Sequence, residues 1–319
     1  MDSEEARFVG SAMAIVIPTP SWAMLREKAD VLASKRPNDK FLETVLRGAL
    51  LVGESDNPVR GNLCAAALRE VVGHLLHALA PDEKVIRCGW YKPDPTSNGP
   101  TRKQRATYIV QGGLPAAFVR DSLHLDVNNF GRPLTKAMDR LHGSTHVREN
   151  TVLTDDNEIR GLVDSSLTGI LDLFEAAVSC QREVHSKMEH QVNEAVFDKF
   201  ISDTIQELDE LSTHTRFDAH AVDDIKVIDV DSDLITYLVT GTVYVELIYG
   251  SGSDFRRGDG ATMSDSYPYR ATMAATVTDP TRVIPDSAQV FVDNSSFFDN
   301  GDDEDDDAAL IAIRGDLPF

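Results

Sequence analysis

The sequence is short of cysteine, of positive charge and of long apolar runs, and each shortage excludes a class of protein. Cys64, Cys88 and Cys180 are odd in number and far apart, and no C-x-x-C spacing exists. A disulfide framework and a cysteine zinc site are both excluded, and a reducing cytoplasm is the expected compartment. No window approaches the run of about 18 to 20 apolar residues that spans a bilayer, so no membrane association is expected. The chain opens with Asp2, Glu4 and Glu5 where a secretory signal would be basic. Lys and Arg total 31 against 52 Asp and Glu, for a net charge of −21. That balance excludes a general nucleic-acid coat, which needs clustered cations, but leaves room for a local basic site. Also absent are a Walker A loop, a G-x-G-x-x-G and a G-x-S-x-G, which removes NTPase, Rossmann and hydrolase readings.

What is present reads as an α+β protein: a mostly helical N-terminal domain followed by a small antiparallel β-rich domain. Length suggests two domains, divided as a leader (1–37), a helical domain (38–220), a β-rich domain (221–298) and an acidic tail (299–319). The leader holds a short helix over 22–34 and an apolar patch, 12–17, that reads as a strand or packing segment. A helix over 41–53 carries Phe41, Leu42, Val45, Leu46 and Ala49 on one face. The next is expected to start at Asn57-Pro58, a good N-cap followed by proline at the first helical position, and to run to Leu79. Residues 88–101 form a loop by their glycine and proline content. Helices follow over 102–110, 114–127 and 130–142. A long helical stretch then runs from a cap at Asp155 or Asp156 to about Leu211, with one break.

The texture changes near Asp223. Segments 227–230, 234–240, 242–249, 269–278 and 289–292 are rich in Val, Ile, Tyr and Thr and read as strands. Around five strands with short turns imply an antiparallel sheet or small sandwich. Residues 250–260 read as a loop.

Four groups of residues could carry chemistry. The first is Asp139-Arg140-Leu141-His142-Gly143-Ser144-Thr145-His146-Val147-Arg148, which pairs Arg140 with His146. Metal-independent RNA cleavage needs a base near neutral pKa to draw the 2′-hydroxyl proton, which histidine supplies. It also needs a cation on the charged phosphate, which arginine supplies. Spacing alone favours the plainer reading, a helix end with a solvated arginine and a capping histidine. The second is Arg69, Glu70 and His74 within an apolar helix. These favour a structural ion pair with a neighbouring helix and a core or boundary histidine, with a supporting role beside His146 as the alternative.

The third group is Arg102, Lys103 and Arg105, with Arg87, Lys92, Trp90 and Tyr91 upstream. Basic groups position phosphates and aromatics stack bases, although charge runs usually face water. The fourth is Asp254, Arg256, Arg257, Asp259 and Asp265 with Glu246. Clustered carboxylates could hold Mg²⁺, but the spacing matches no metal motif and an ordinary hairpin loop is favoured. His142 and His146 share a helix face at zinc-ligand spacing, yet no third ligand is evident, so no metal is expected.

A helical domain with an early Ala67-Leu68-Arg69-Glu70-Val71-Val72 helix and a late Arg-x5-His resembles the HEPN superfamily. Leu141 stands where HEPN nucleases commonly carry a polar residue. The whole chain resembles the predicted pPIWI-associating nuclease family of bacterial conflict loci. The matching stretches are Leu68-Arg69-Glu70, Leu79-Ala80-Pro81-Asp82-Glu83, Gly99-Pro100-Thr101-Arg102-Lys103-Gln104-Arg105 and Thr145-His146-Val147-Arg148. In the β part they are Gly241-Thr242-Val243-Tyr244-Val245-Glu246-Leu247, Tyr249-Gly250-Ser251 and Arg257-Gly258-Asp259-Gly260. The resemblance implies a defence-type nuclease with Arg140 and His146 as its catalytic pair and no cofactor. It implies a homodimer in which two motifs face one RNA. Arg148, Arg102, Lys103 and Arg105 would position the strand. RNA is the expected substrate, with DNA second, because this chemistry uses a 2′-hydroxyl. The competing readings are a non-catalytic adaptor or sensor with a protein partner in a defence complex, and a metal-dependent nuclease built on the β-domain carboxylates. The acidic tail either solubilises the chain or covers the basic segment at 102–105 as a nucleic-acid mimic.

Overall fold

The computed structural model describes residues 19–126 and 131–298. The expected segment at 12–17 and the acidic run at 299–307 lie outside the described residues, as does most of the turn before Gly131.

The helical part comprises α1 (Trp22–Ser34), α2 (Lys40–Glu54), α3 (Arg60–Leu79), α4 (Asp82–Arg87), α5 (Arg102–Gln111), α6 (Ala116–Asp121), α7 (Arg132–Thr145), α8 (Asp156–Ser202) and α9 (Gln206–Asp209). Local chemistry sets several of the ends. Asp39 and Asp155 cap α2 and α8 by accepting from the backbone N–H of Leu42 and Glu158, and Thr101 and Gln104 form a reciprocal capping box on α5. α1, the short helix expected in the leader, buries Leu25, Ala29 and Leu32 in the core.

Several boundaries differ from the expectation for identifiable reasons. Helix α3 begins at Arg60 and not at Asn57, because Asn57 Oδ1 accepts from Val59 N–H and makes a turn ahead of the helix. Of the segment 114–127, the described residues 114–126 are helical only through α6, and α4 follows Pro81 where no helix was expected. Helix α8 continues without a break for 47 residues, a length of about 70 Å at 1.5 Å per residue.

α8 is the spine of the molecule. Its first half buries Ile159, Leu162, Val163, Leu167, Ile170 and Phe174 among the helices. Its second half buries Val184, Met188, Val192, Val196 and Phe200. A four-residue repeat overshoots the 3.6-residue turn, so this apolar row winds slowly around the helix; this half of α8 packs on β1 and β4. Phe200 stacks on Phe217 at 5.4 Å between ring centres and meets Tyr269 edge-on at 5.1 Å.

The sheet is antiparallel and contains β1 (His214–Val230), β2 (Leu234–Tyr249), β3 (Ala261–Thr276), β4 (Asp279–Val283) and β5 (Gln289–Val292). Strand order is β1-β2-β3-β4, with β5 also on β3. A short helix, α10 (Gly252–Arg257), sits in the β2–β3 connection that reads as loop, and α11 (Ser295–Phe298) closes the described chain. β2 and β3 pair without slippage over their full length, whereas β1 carries three register shifts. Such bulges raise local twist. β1 starts at His214, ahead of the change in texture, because its early half alternates with charged residues such as Arg216 and Asp218. β2 is one strand and not two. Gly241 does not break it; a Cβ there would lie 2.7 Å from the ring of Tyr269 and 2.1 Å from the carbonyl of Ala221, so the glycine admits the ring.

The two halves meet at a close joint. α5 ends at Gly112, in the left-handed region at φ +54°, and a Cβ there would sit 2.1 Å from the Val230 carbonyl. Gly113 N–H donates to the Asp231 carbonyl at 2.7 Å. Trp90 Nε1 donates to the Gly112 carbonyl at 2.8 Å, and Arg87 pairs with Asp233 at 2.6 Å. The β1–β2 turn is thereby held against the end of α5. Among the described residues, no helix is long and apolar enough to cross a membrane.

Candidate functional site

The last turn of α7 exposes a run of basic and titratable side chains. Leu134, Ala137, Met138 and Leu141 face the core, which turns Arg140, His142 and His146 to solvent. Arg148 follows in the exposed segment after the helix. Arg140 Nη1 donates to Ser165 Oγ of α8 at 3.3 Å. His146 ends the helix in extended geometry, at φ −91° and ψ 119°. Its ring meets that of His142 edge-on, with centres 6.1 Å apart. No hydrogen bond or ring contact joins Arg140 to His146 among the described residues; the neighbour of His146 is His142, one turn back.

The segment carrying His146 is held from below by Asn62 of α3, which is 1% exposed. Asn62 Nδ2 donates to the carbonyls of Ser144 and Thr151, each at 2.7 Å, and Oδ1 accepts from Leu153 N–H at 3.1 Å. Gly61 completes the seat, since a Cβ there would lie 2.5 Å from the Leu153 carbonyl. The Thr151 hydroxyl closes the turn by donating to the His146 carbonyl. Sequence reading missed Asn62. The available signal was an amide on the buried stripe of a helix, a position that demands partners.

A cleft of about 470 Å³ opens beside this region. Arg69, Glu70, Gly73 and His77 of α3, residues 97–100, Arg102 of α5 and Met138 of α7 line it. Residues from two separate sequence groups thus converge. Arg69 pairs with Glu70 at 2.7 Å, and among the described residues it pairs with no neighbouring helix. Arg102 and Lys103 are exposed. Arg105 is a correction: it is 4% exposed, donates to the Ala80 carbonyl and pairs with Asp82 at 2.5 Å. Its guanidinium ties α5 to the start of α4 and is not free to take a phosphate. The hydrogen bond from Arg105 holds the Asp82 carboxyl below the usual carboxylate range.

Trp90 and Tyr91 are likewise not stacking platforms. Both pack against the core, Trp90 with its indole N–H bonded to Gly112. His74 is structural: its Nε2 lies 2.8 Å from Asp39 Oδ2, and its ring packs on Phe41 at 4.6 Å. Burial pushes the Asp39 carboxyl up, but the Leu42 N–H and His74 outweigh it and the net shift is downward.

The remaining candidates disperse. Asp254 bonds Ser251 and Arg257, Asp265 accepts from the Tyr267 hydroxyl at 2.6 Å, and Glu246 pairs with Arg216 at 2.5 Å. Among the described residues no group of three or more His, Cys, Asp or Glu is placed to hold a metal ion. The three cysteines are buried and unpaired, and burial pushes each thiol up to about 12. They are therefore not nucleophiles at neutral pH.

No curated protein and no solved structure matches the chain. Two family models do, both described as predicted pPIWI-associating nuclease. One matches residues 34–170, which hold α2 to α7 and the exposed histidines, and the other matches residues 177–298, which hold the second half of α8 and the sheet. Between them the matches cover the helical part from α2 onward, the joint and the β part, and the chain belongs to the predicted pPIWI-associating nuclease family.

Proposed function

We propose that the chain cleaves RNA without a metal, with the end of α7 as the active site of a HEPN-like helical domain. The supporting observation is the exposed His142–His146 pair on a turn clamped by buried Asn62. His146 takes the proton from the 2′-hydroxyl, whose oxygen attacks the adjacent phosphorus. His142 gives a proton to the departing 5′-oxygen. Two neighbouring imidazoles can divide these roles. Arg140, resting on Ser165, offers its remaining N–H groups to the phosphate oxygens. Arg148, Arg102 and Lys103 position the strand.

RNA is preferred over DNA because the nucleophile is the 2′-hydroxyl. The helical part forms a homodimer in this reading; Met24 and Val31 of α1 and Leu51 of α2 are exposed apolar side chains that a second copy would cover. The setting is a cytoplasmic defence complex against phage. The test is cleavage of single-stranded RNA in excess chelator. His146→Ala is expected to lower the rate by about 10² or more, and Arg140→Ala to lower it as well. An unchanged rate in His146→Ala rejects the site.

A second reading, a non-catalytic adaptor or sensor, is favoured by one observation. Leu141, where HEPN nucleases commonly carry a polar residue, is fully buried. Absence of cleavage by the parent chain, with RNA still bound, selects it.

A further inference from the structure

The cleft between α3 and α5 is separate from the histidine pair, and both signs of charge line it: Arg69, Arg102 and Arg105 with Glu70 and Asp82. Arg102 is exposed on its rim, and its guanidinium has no hydrogen bond or ion pair among the described residues. Arg69, on the α3 side, has only its sequence neighbour Glu70 as partner among the described residues, in a pair whose side chains are 29% and 59% exposed. Solvated pairs of this kind are weak. A phosphate, which guanidinium binds with two parallel hydrogen bonds, competes with Glu70 for Arg69. The wall behind them is fixed, because the buried Arg105 holds Asp82 and the Ala80 carbonyl. Gly99 lies so close to Asp82 that a Cβ there would be 2.9 Å from Oδ2, which keeps residues 97–100 against that wall.

The cleft also leads somewhere. Met138, on the core side of α7, forms part of it, and one turn further along α7 His142 is exposed to solvent, ahead of the helix end that carries His146. The rise along α7 from Met138 to His142 is about 6 Å.

We propose that this cleft is a nucleotide-phosphate subsite: Arg69 and Arg102 hold a phosphate of the RNA strand whose neighbouring linkage lies at the α7 histidines. This rests on the assignment of the α7 turn as the cleavage site. Two sources could supply the phosphate, the strand itself or a free nucleotide, and the test separates them.

Binding is measured on the full-length His146→Ala chain, so that cleavage does not consume the probe. The probes are a fluorescent single-stranded RNA oligomer and, separately, a nucleoside monophosphate. Arg102→Ala and Arg69→Ala are each expected to weaken the RNA oligomer about tenfold and to flatten its salt dependence. The control Arg120→Ala, an exposed arginine of α6 paired with Asp121, is expected to leave binding unchanged. Unchanged RNA affinity in both cleft variants overturns the proposal, as does a parent chain that binds no RNA. Loss of monophosphate binding with RNA affinity unchanged overturns it too, and assigns the cleft to a free nucleotide. If cleft variants lose RNA affinity while the parent chain cleaves nothing, the subsite stands and the cleavage assignment falls. If the parent cleaves and the cleft variants bind normally, the reverse holds.

Discussion

Asn62 on α3 holds Ser144 on α7: its side-chain amide, sealed from solvent, donates to the Ser144 carbonyl at 2.7 Å. The same amide holds Thr151, so both ends of the turn that displays His146 hang from one buried side chain. Asn62→Ala leaves two carbonyls and one N–H without their partner. We expect a stability loss of about 1–3 kcal/mol for stranded polar groups, read by urea denaturation. Amide exchange at residues 146–153 should quicken, with little change in the sheet. Equal protection in the variant would mean that Asn62 does not order this turn.

Arg102 and Arg105 lie three residues apart on α5 and have opposite roles. Arg105→Ala strands the buried Ala80 carbonyl and is expected to cost about 1–3 kcal/mol. Arg102→Ala, at the surface, is expected to stay within about 0.5 kcal/mol while weakening RNA binding. Urea midpoints for the two variants test the division, and equal midpoints would contradict it.

The joint between the halves depends on Gly112. Gly112→Ala places a Cβ against the Val230 carbonyl at a positive φ. Strained backbone of this kind costs about 1–3 kcal/mol before the steric clash is added. Thermal unfolding should occur at lower temperature than in the parent; an unchanged midpoint would mean that the close approach is relieved elsewhere.

His220 gives the fold an acid-sensitive point. Burial holds its imidazole below the ordinary value of 6.5, and its Nδ1 lies 3.1 Å from the Tyr269 hydroxyl. The unfolded chain therefore binds this proton more readily than the folded one. Stability from the neutral ring is complete above the unfolded value and declines as pH falls through 6.5 towards the folded value. His220→Gln should lose less stability than the parent between neutral and mildly acid pH, measured by denaturation across that range. Parallel pH profiles would remove His220 as the cause.

Periodicity made the helical half legible. The apolar repeat through Val71 and Leu75 marks α3, although its first member, Leu63, is exposed and the buried face runs through Cys64, Leu68 and Val72; the repeat from Leu162 to Phe174 marks α8. Strand ends were harder, because β1 opens with alternating charged residues and β2 contains a glycine whose reason is a ring on the neighbouring strand. At the site, sequence named Arg69, Glu70 and Arg102 in different groups, and folding brings them to one cleft. It could not separate Arg102 from Arg105, because burial of one of two nearby arginines depends on Asp82 and Ala80, some two dozen residues earlier in the chain. Nor could it pair His146 with His142 in preference to Arg140, since that choice follows from where α7 ends and how the turn is anchored.

The most direct test of the account is the chemistry of the cut end. Single-stranded RNA is incubated with the full chain in excess chelator, and the products are resolved with their 3′ termini identified. Attack by the 2′-hydroxyl predicts a 2′,3′-cyclic phosphate beside a free 5′-hydroxyl, formed by the parent and lost in His146→Ala, with no cut in an otherwise identical DNA strand. A 3′-hydroxyl beside a 5′-phosphate, formed only when Mg²⁺ is supplied and retained in His146→Ala, would contradict it.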